Sequence, residues 1–348
     1  MPETNAASRA PMRIGVIGAG AMGSSLAAIA SRVAPTVMVV RNPQRAAQIF
    51  DRGIAIHGQI EASARPIIVR SVADLPEVGG VDYLFVATKT TAIPALCADL
   101  KPVLPALAAH DRLVRVVSYQ NGIEPATQMI ELLDTALVLR MVLHYGGVLD
   151  PETGVVDVHM HEPPHYVGCL DTALAPDCEM LASLLTMAEF PTNYEPNIET
   201  RVWAKAILNA AMSPVAALVN ATIGDVLDSP GKLVVDRLLS EGVEAARLEG
   251  IDLGDDFLPR AMEVLERGRR HIPSMVEDIR RGRESEVGQL NHQIVAHAHR
   301  LGGSAPTHEA IVALIETFDW RIYHGVRAEQ ARVGGAHGNI GESVAGNG

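Results

Sequence analysis

The sequence predicts an α/β fold, in which an N-terminal doubly wound parallel sheet of the Rossmann type is followed by an all-helical C-terminal domain. Three observations carry this expectation. An apolar strand, Arg13-Ile14-Gly15-Val16-Ile17, runs into the turn Gly18-Ala19-Gly20-Ala21-Met22-Gly23 and out into a helix of small residues. Short β-branched runs follow at intervals, each bounded by turn residues. Beyond the stretch Pro191 to Pro196 the apolar period becomes helical and stays so to about residue 330. At 348 residues the chain is long for one core. The expected division is a disordered leader over 1–11, a dinucleotide-binding domain over 12–194, a helical substrate and dimerisation domain over 195–332, and a disordered glycine-rich tail over 333–348.

Each glycine of the turn has a physical reason. Gly18 permits the tight turn, Gly20 lets the backbone approach a pyrophosphate, and Gly23 lets the helix pack closely on the strand. The N-terminus of the helix that leaves the turn, through Ser25-Leu26-Ala27-Ala28-Ile29-Ala30, then offers free N–H groups and a positive dipole end to phosphates. Thr36-Val37-Met38-Val39-Val40 reads as the second strand, closing a βαβ unit. An acid at its end would hold a ribose 2′-hydroxyl, but the residue here is Arg41. A guanidinium grips a 2′-phosphate through paired hydrogen bonds, so NADP(H) is the expected cofactor, although a solvated strand-end arginine is the plainer alternative.

Ile54-Ala55-Ile56 and Ile67-Ile68-Val69 are short β-like pieces. Asp82-Tyr83-Leu84-Phe85-Val86-Ala87 is a strand ending at Lys89, and Leu113-Val114-Arg115-Val116-Val117-Ser118 is one ending at Gln120-Asn121-Gly122. Ligands of open parallel sheets lie off the carboxyl ends of strands, which places Lys89 and Asn121 near a cofactor; a solvated lysine in a loop is the competing reading of Lys89. Leu137-Val138-Leu139, Val155-Val156-Asp157-Val158 and His165-Tyr166-Val167-Gly168 are the last strands, and the turn Asp150-Pro151-Glu152-Thr153-Gly154 points to an antiparallel hairpin between two of them. His144, His159, His161 and His165 gather here, His159 and His161 on one face if the strand alternates. No carboxylate or cysteine completes a ligand spacing, and no metal is expected.

Composition narrows the class. Apolar residues make up 48% and charged residues 20%, as in an ordinary globular protein. A formal charge of −12 argues against nucleic acid or an anionic membrane as a partner. The three cysteines show no paired spacing and suit a reducing, cytoplasmic setting. No targeting signal is read at the N-terminus, and no run is expected to approach a membrane span.

In the helical half, Lys205, Asn209 and Ser213 succeed one another four residues apart, so they form one polar stripe on an otherwise apolar helix. A lysine in such company shifts toward its neutral form unless partnered, whereas many helical lysines simply reach water. Further on, Ser274 reads as a helix N-cap with Glu277 completing a capping box, Gly282 as the end of that helix, and Glu284-Ser285-Glu286 as the start of another.

With these residues on the page, the chain resembles the ketopantoate reductase family from Arg13 to about Trp320. The resemblance rests on the glycine turn, Gln120-Asn121-Gly122, Trp203-x-Lys205-x-x-x-Asn209, and Ser274-Met275-x-x-Asp278-x-x-x-Gly282-Arg283-x-x-Glu286. It implies NADPH-dependent reduction of a 2-oxo acid, with 2-dehydropantoate going to (R)-pantoate as the expected reaction of the pantothenate pathway. Lys205 would be the general acid, with Glu286 engaging the substrate hydroxyl and influencing the lysine on the cofactor side. Asn209, Ser213 and Ser274 would hold the substrate. Asn121 would stand between cofactor and substrate, with Arg41 at the 2′-phosphate and Lys89 beside the cofactor. One residue departs from the family: Ser213 stands where an asparagine is common, which leaves room for a related reductase acting on another 2-oxo or β-hydroxy acid. A non-catalytic NADP(H) sensor is a remoter alternative that leaves the polar stripe without a purpose. The apolar helical domain also leaves room for a homodimer.

Overall fold

In the computed structural model, residues 11–108 and 113–336 are described, with side chains to 324. The chain forms two compact units that meet in sequence between Val202 and Trp203. The first unit contains β1 (Ile14–Ile17), α1 (Ala21–Ala30), β2 (Thr36–Val39), α2 (Pro43–Arg52), β3 (Ile54–Gly58), β4 (Ala62–Ala64), β5 (Ile67–Val69) and β6 (Tyr83–Val86). It continues with α3 (Ile93–Leu100), α4 (Leu104–Ala108), β7 (Arg115–Ser118), α5 (Pro125–Leu133), β8 (Val138–Val142), β9 (Tyr145–Leu149), β10 (Val156–His161), β11 (His165–Cys169), α6 (Ala175–Met187) and β12 (Thr192–Tyr194).

Eight strands form one sheet in the order β12-β11-β8-β7-β6-β1-β2-β5. All neighbouring pairs are parallel except β11 on β8. From β1 the chain winds one way through β2 to β5, and from β6 it winds the other way through β7 to β8. That reversal is the switch point at which such sheets place their ligands. β1, β2 and β6 are buried along their whole length, which is why they read as continuous apolar runs rather than alternating ones. One apolar cluster covers each face of the sheet.

A second sheet, β4-β3-β10-β9, packs on α1 from the side away from β1. α1 is therefore buried from Gly23 to Ala30 and built of residues small enough to lie between two sheets. The Asp150–Gly154 turn does form an antiparallel hairpin, but its first arm is β9, which sequence pattern did not single out. Gly146-Gly147 has little β-propensity, and the strand is held by its partner instead. The ladder shifts register between Val158 and Met160, so His159 and His161 do not share a face by simple alternation. His161 and His165 instead stack on Phe190, His165 at 3.8 Å between ring centroids.

The second unit holds most of α7 (Ile198–Val219), then α8 (Ile223–Leu227), α9 (Gly231–Leu248), α10 (Phe257–Arg267), α11 (Ser274–Arg280), α12 (Asn291–Arg300) and α13 (Pro306–Ala336). Its core is lined by Trp203, Ile207, Leu238, Ile294 and Ile315, all buried. A Cβ on Gly242 would press on Ile207, which brings α9 close against α7. The expectation that no run approaches a membrane span needs correction. α7 has 22 residues and a mean hydropathy of 1.5 over its best window, long and apolar enough by that test. That window is 67% buried within the protein, as befits a core helix.

Two expectations around α11 also change. Pro273, in extended conformation, occupies the cap position, so Ser274 is the first helical residue and makes no cap hydrogen bond. No α-helix starts at Glu284; a single 3₁₀ turn over Val287–Gln289 precedes α12. Gly282 does end α11, at φ +61°. Of the expected leader only Pro11 lies within the described residues, and of the expected tail only the backbone of 333–336, which continues α13.

Candidate functional site

Within the first unit, the glycine turn separates into residues the protein needs for itself and one it does not. Gly18 adopts φ +111°, closed to most side chains. A Cβ on Gly23 would run into the carbonyl oxygen of Gly18, so the helix could not sit where it does. Gly20 adopts φ −73°, accessible to any residue, and a Cβ there would meet nothing within 4 Å. The open space lies at the start of α1, whose first N–H groups have no partner within the helix. No acidic residue stands in that first turn. Ala19, Ala21 and Met22 complete the turn with small or half-buried side chains.

Other groups converge on the carboxyl ends of the strands. Thr88 Oγ1, after β6, and Gln120 Nε2, after β7, are buried without a hydrogen-bond partner among the described residues. Lys89 is exposed beside Thr88, and Asn121 is half-buried beside Gln120. The Asn121 turn is held from behind by Arg140 of β8, which is almost fully buried. Its guanidinium donates to the carbonyls of Gly122 and Ile123 and pairs with Glu199 at 2.7 Å. Tyr119 lies within hydrogen-bond distance of the Tyr145 hydroxyl at 3.0 Å, and Tyr145 donates to the Met22 carbonyl at 3.2 Å. Burial pushes both phenols above their ordinary pKa, so both stay protonated. Neither Arg140 nor Tyr145 was singled out from sequence.

Beyond β2, Arg41 is exposed and its side chain has no hydrogen bond or ion pair among the described residues. Arg70, just past the adjacent β5, donates to the Arg41 carbonyl, so its guanidinium lies against the backbone at the end of β2. Arg70 also escaped the sequence reading; the signal was its position one residue past a strand that pairs with β2. Arg45 is occupied otherwise, donating to Ala19 O, Ser24 Oγ and Gly154 O.

Within the second unit, Lys205 is half-buried on α7. Burial lowers its pKa from 10.5 to about 8, against the opposing pull of the Glu286 carboxylate. This electrostatic influence joins two residues far apart in sequence and sets a carboxylate near the polar stripe of α7. Asn209 is half-buried and Ser213 is buried, and neither side chain makes a hydrogen bond among the described residues. Ser274 is exposed at the first position of α11, while Trp203 is buried and packs edge-on against His297 at 5.1 Å between centroids. Lys205, Asn209 and Ser213 are thus together on one helix with Glu286 beside the lysine, and the amide and hydroxyl are unspent.

Comparison with known proteins decides what this arrangement belongs to. The family model described as ketopantoate reductase PanE/ApbA matches residues 14–171, and that for the ketopantoate reductase PanE/ApbA C-terminal region matches residues 197–319. The chain belongs to the ketopantoate reductase family. It is accordingly an oxidoreductase of the ketopantoate reductase type. A 2-dehydropantoate 2-reductase of Archaeoglobus fulgidus is 28% identical over 304 residues, covering 87% of this chain and 96% of its own. One from Pyrococcus abyssi is 25% identical over 309 residues, covering 88% and 97%. The crystal structure of a PanE/ApbA family ketopantoate reductase from Ralstonia eutropha JMP134 superposes with a TM-score of 0.78 at 25% identity, covering 90% of this chain and 100% of that one. A D-mandelate dehydrogenase solved with NADH and anilino(oxo)acetate shares the fold, with a TM-score of 0.79 at 18% identity over 90% of this chain and 99% of its own.

Proposed function

We propose that this ketopantoate reductase family member reduces a 2-oxo acid to the 2-hydroxy acid with NADPH, 2-dehydropantoate to (R)-pantoate being the preferred reaction. The observation that carries the reading is Lys205, a lysine whose burial brings its pKa to about 8 beside Glu286. A proton donor works best when its pKa lies near the working pH, where it is still charged yet releases its proton readily. Lys205 Nζ donates that proton to the carbonyl oxygen of the substrate. Glu286 keeps the ammonium charged against the cost of burial and engages the hydroxyl side of the substrate. Asn209 and Ser213 offer an unspent amide and hydroxyl on the same stripe, and Ser274 supplies a hydroxyl for the substrate carboxylate.

The residues of the first unit fit a dinucleotide. Gly20 leaves room for the pyrophosphate at the N-terminus of α1, and Thr88 Oγ1 and Gln120 Nε2 are buried groups in want of partners. Bound there, a nicotinamide cofactor supplies the hydride. Lys89 and Asn121 border it, and Arg41 with Arg70 favours the 2′-phosphate of NADP(H) over the bare ribose of NAD(H).

Ser213 favours a second reading, in which the preferred acid differs from 2-dehydropantoate. A hydroxyl presents one rotatable donor where an amide fixes both a donor and an acceptor, and buried polar partners discriminate substrates strongly. A panel of 2-oxo acids with NADPH and with NADH tests both readings. Lys205→Ala is expected to lower kcat by at least about a hundredfold, the usual scale for a general acid, with little change in cofactor affinity. Full turnover by Lys205→Ala would remove the assignment, and a clear preference for another acid would shift the substrate.

A further inference from the structure

α7 carries a proline in its interior, Pro214, directly after Ser213. Proline has no N–H, so the carbonyl four residues earlier, that of Ala210, loses its helical donor. That carbonyl lies between Asn209 and Ser213, inside the stripe of candidate reacting and substrate-binding groups. It does not go unsatisfied: Asn291 Nδ2 donates to it at 2.8 Å.

The surroundings of Asn291 show that its donors are what the site uses. The residue is fully buried at the first position of α12. Its Nδ2 also lies 3.0 Å from His308 Nδ1, and His308 Nε2 lies 3.0 Å from the Leu238 carbonyl. A carbonyl only accepts, so Nε2 carries the ring hydrogen and Nδ1 accepts from the amide. Burial holds His308 below the ordinary histidine pKa, which keeps this neutral form. Asn291 therefore faces two acceptors with its two N–H groups, while its Oδ1 has no partner among the described residues. A buried amide oxygen left unpaired is costly, so packing alone would favour an apolar residue here. Five residues before Asn291 stands Glu286, the carboxylate beside Lys205.

We infer that Asn291 is a positioning residue for the reaction: its side-chain amide replaces the backbone donor missing at Pro214 and ties the Asn209–Ser213 segment of α7 to the segment that carries Glu286. The inference rests on Lys205 and Glu286 being the reacting pair. His308 orients the amide in turn, anchored on α9 through Leu238. The strut spans the two chain segments whose side chains must meet, and it grips α7 where the proline would otherwise weaken it.

The test is a double-mutant cycle in the full-length protein, read by steady-state kinetics and by urea unfolding. Asn291→Leu removes the donor at similar volume, and Pro214→Ala restores the backbone donor to Ala210. Asn291→Leu alone is expected to lower kcat per folded molecule about tenfold or more with the NADPH dissociation constant unchanged, whereas partial unfolding would lower the active fraction and leave kcat per folded molecule at its wild-type value. In the Pro214→Ala background the same substitution is expected to cost about twofold or less in kcat, because the carbonyl already has a partner. Equal fold losses in both backgrounds, or an unaltered kcat in folded Asn291→Leu, would overturn the inference. If Asn291→Leu fails to fold, Asn291→Ser in the two backgrounds gives the same comparison through kcat per folded molecule. Failure of the underlying assignment is seen separately. In that case Lys205→Ala keeps its turnover while the Pro214–Asn291 coupling persists in the unfolding curves.

Discussion

At the scale of single residues, the function proposed for Lys205 opposes stability. Its folded pKa of about 8 lies below the ordinary 10.5, so the unfolded chain holds the proton more tightly than the folded one. The charged lysine thus destabilises the fold fully below about pH 8, and the penalty disappears as pH rises toward 10.5. Lys205→Met is therefore expected to be more stable than the wild type by roughly 1–3 kcal/mol at pH 7, discounted for the water that still reaches the side chain. The difference in urea midpoint should shrink between pH 8 and pH 10.5, the interval set by the two pKa values. A constant gap across that interval would mean that lost packing, and not charge burial, separates the variants. On the proposed function, the residue that an apolar helix would discard is the one retained for chemistry.

At the scale of elements, the β1–α1 turn separates two kinds of glycine. Gly23→Ala forces a methyl onto the Gly18 carbonyl, and about 1–3 kcal/mol of destabilisation is expected, as for overpacking elsewhere. Gly20→Ala meets neither a clash nor a forbidden φ, so its thermal midpoint should stay near that of the wild type. Its cofactor dissociation constant should nonetheless rise at least about tenfold, because the added methyl enters the space read as the phosphate site. Calorimetric melting and cofactor titration of the two variants separate the roles, and a Gly20→Ala protein with wild-type affinity would move the phosphates elsewhere. The elements themselves were legible to different degrees. β2 and β6 were plain because buried parallel strands need unbroken runs such as Thr36-Val37-Met38-Val39 and Tyr83-Leu84-Phe85-Val86. β9 was hidden because Gly146 and Gly147 leave its pairing to a partner strand. The three-residue edge strand Thr192–Tyr194 is too short to show a period. The start of α11 was misplaced by one residue because Pro273 caps it where Ser274 offered the more familiar pattern.

At the scale of the whole molecule, what sequence could not show is the network that joins distant segments. Arg140 reaches the Gly122 carbonyl across 18 residues, Asn291 reaches Ala210 across 81, and Tyr145 reaches Met22 across 123. Local period and propensity carry no record of such contacts, whereas the candidate site residues beside them are proposed from motifs. Net charge is the other whole-molecule quantity, and it opposes the proposed cofactor. A protein of charge −12 repels an anionic dinucleotide at long range, but at physiological salt charges more than about 8 Å apart are largely screened. Selection for the 2′-phosphate must then rest on the groups close to it, and Arg41 and Arg70, at the ends of β2 and β5, are the proposed ones. Replacing both with alanine is expected to lower the preference for NADPH over NADH by about 10- to 100-fold, the value of one or two charge-assisted contacts. NADH affinity, and kcat with NADH, should stay close to wild type, since neither arginine is read as touching the ribose hydroxyls or the reacting groups. Titration of both cofactors against wild type and variant measures this. Parallel loss of both affinities would assign the arginines to the adenosine or to the fold, and would leave Arg41 no role in choosing between the two cofactors.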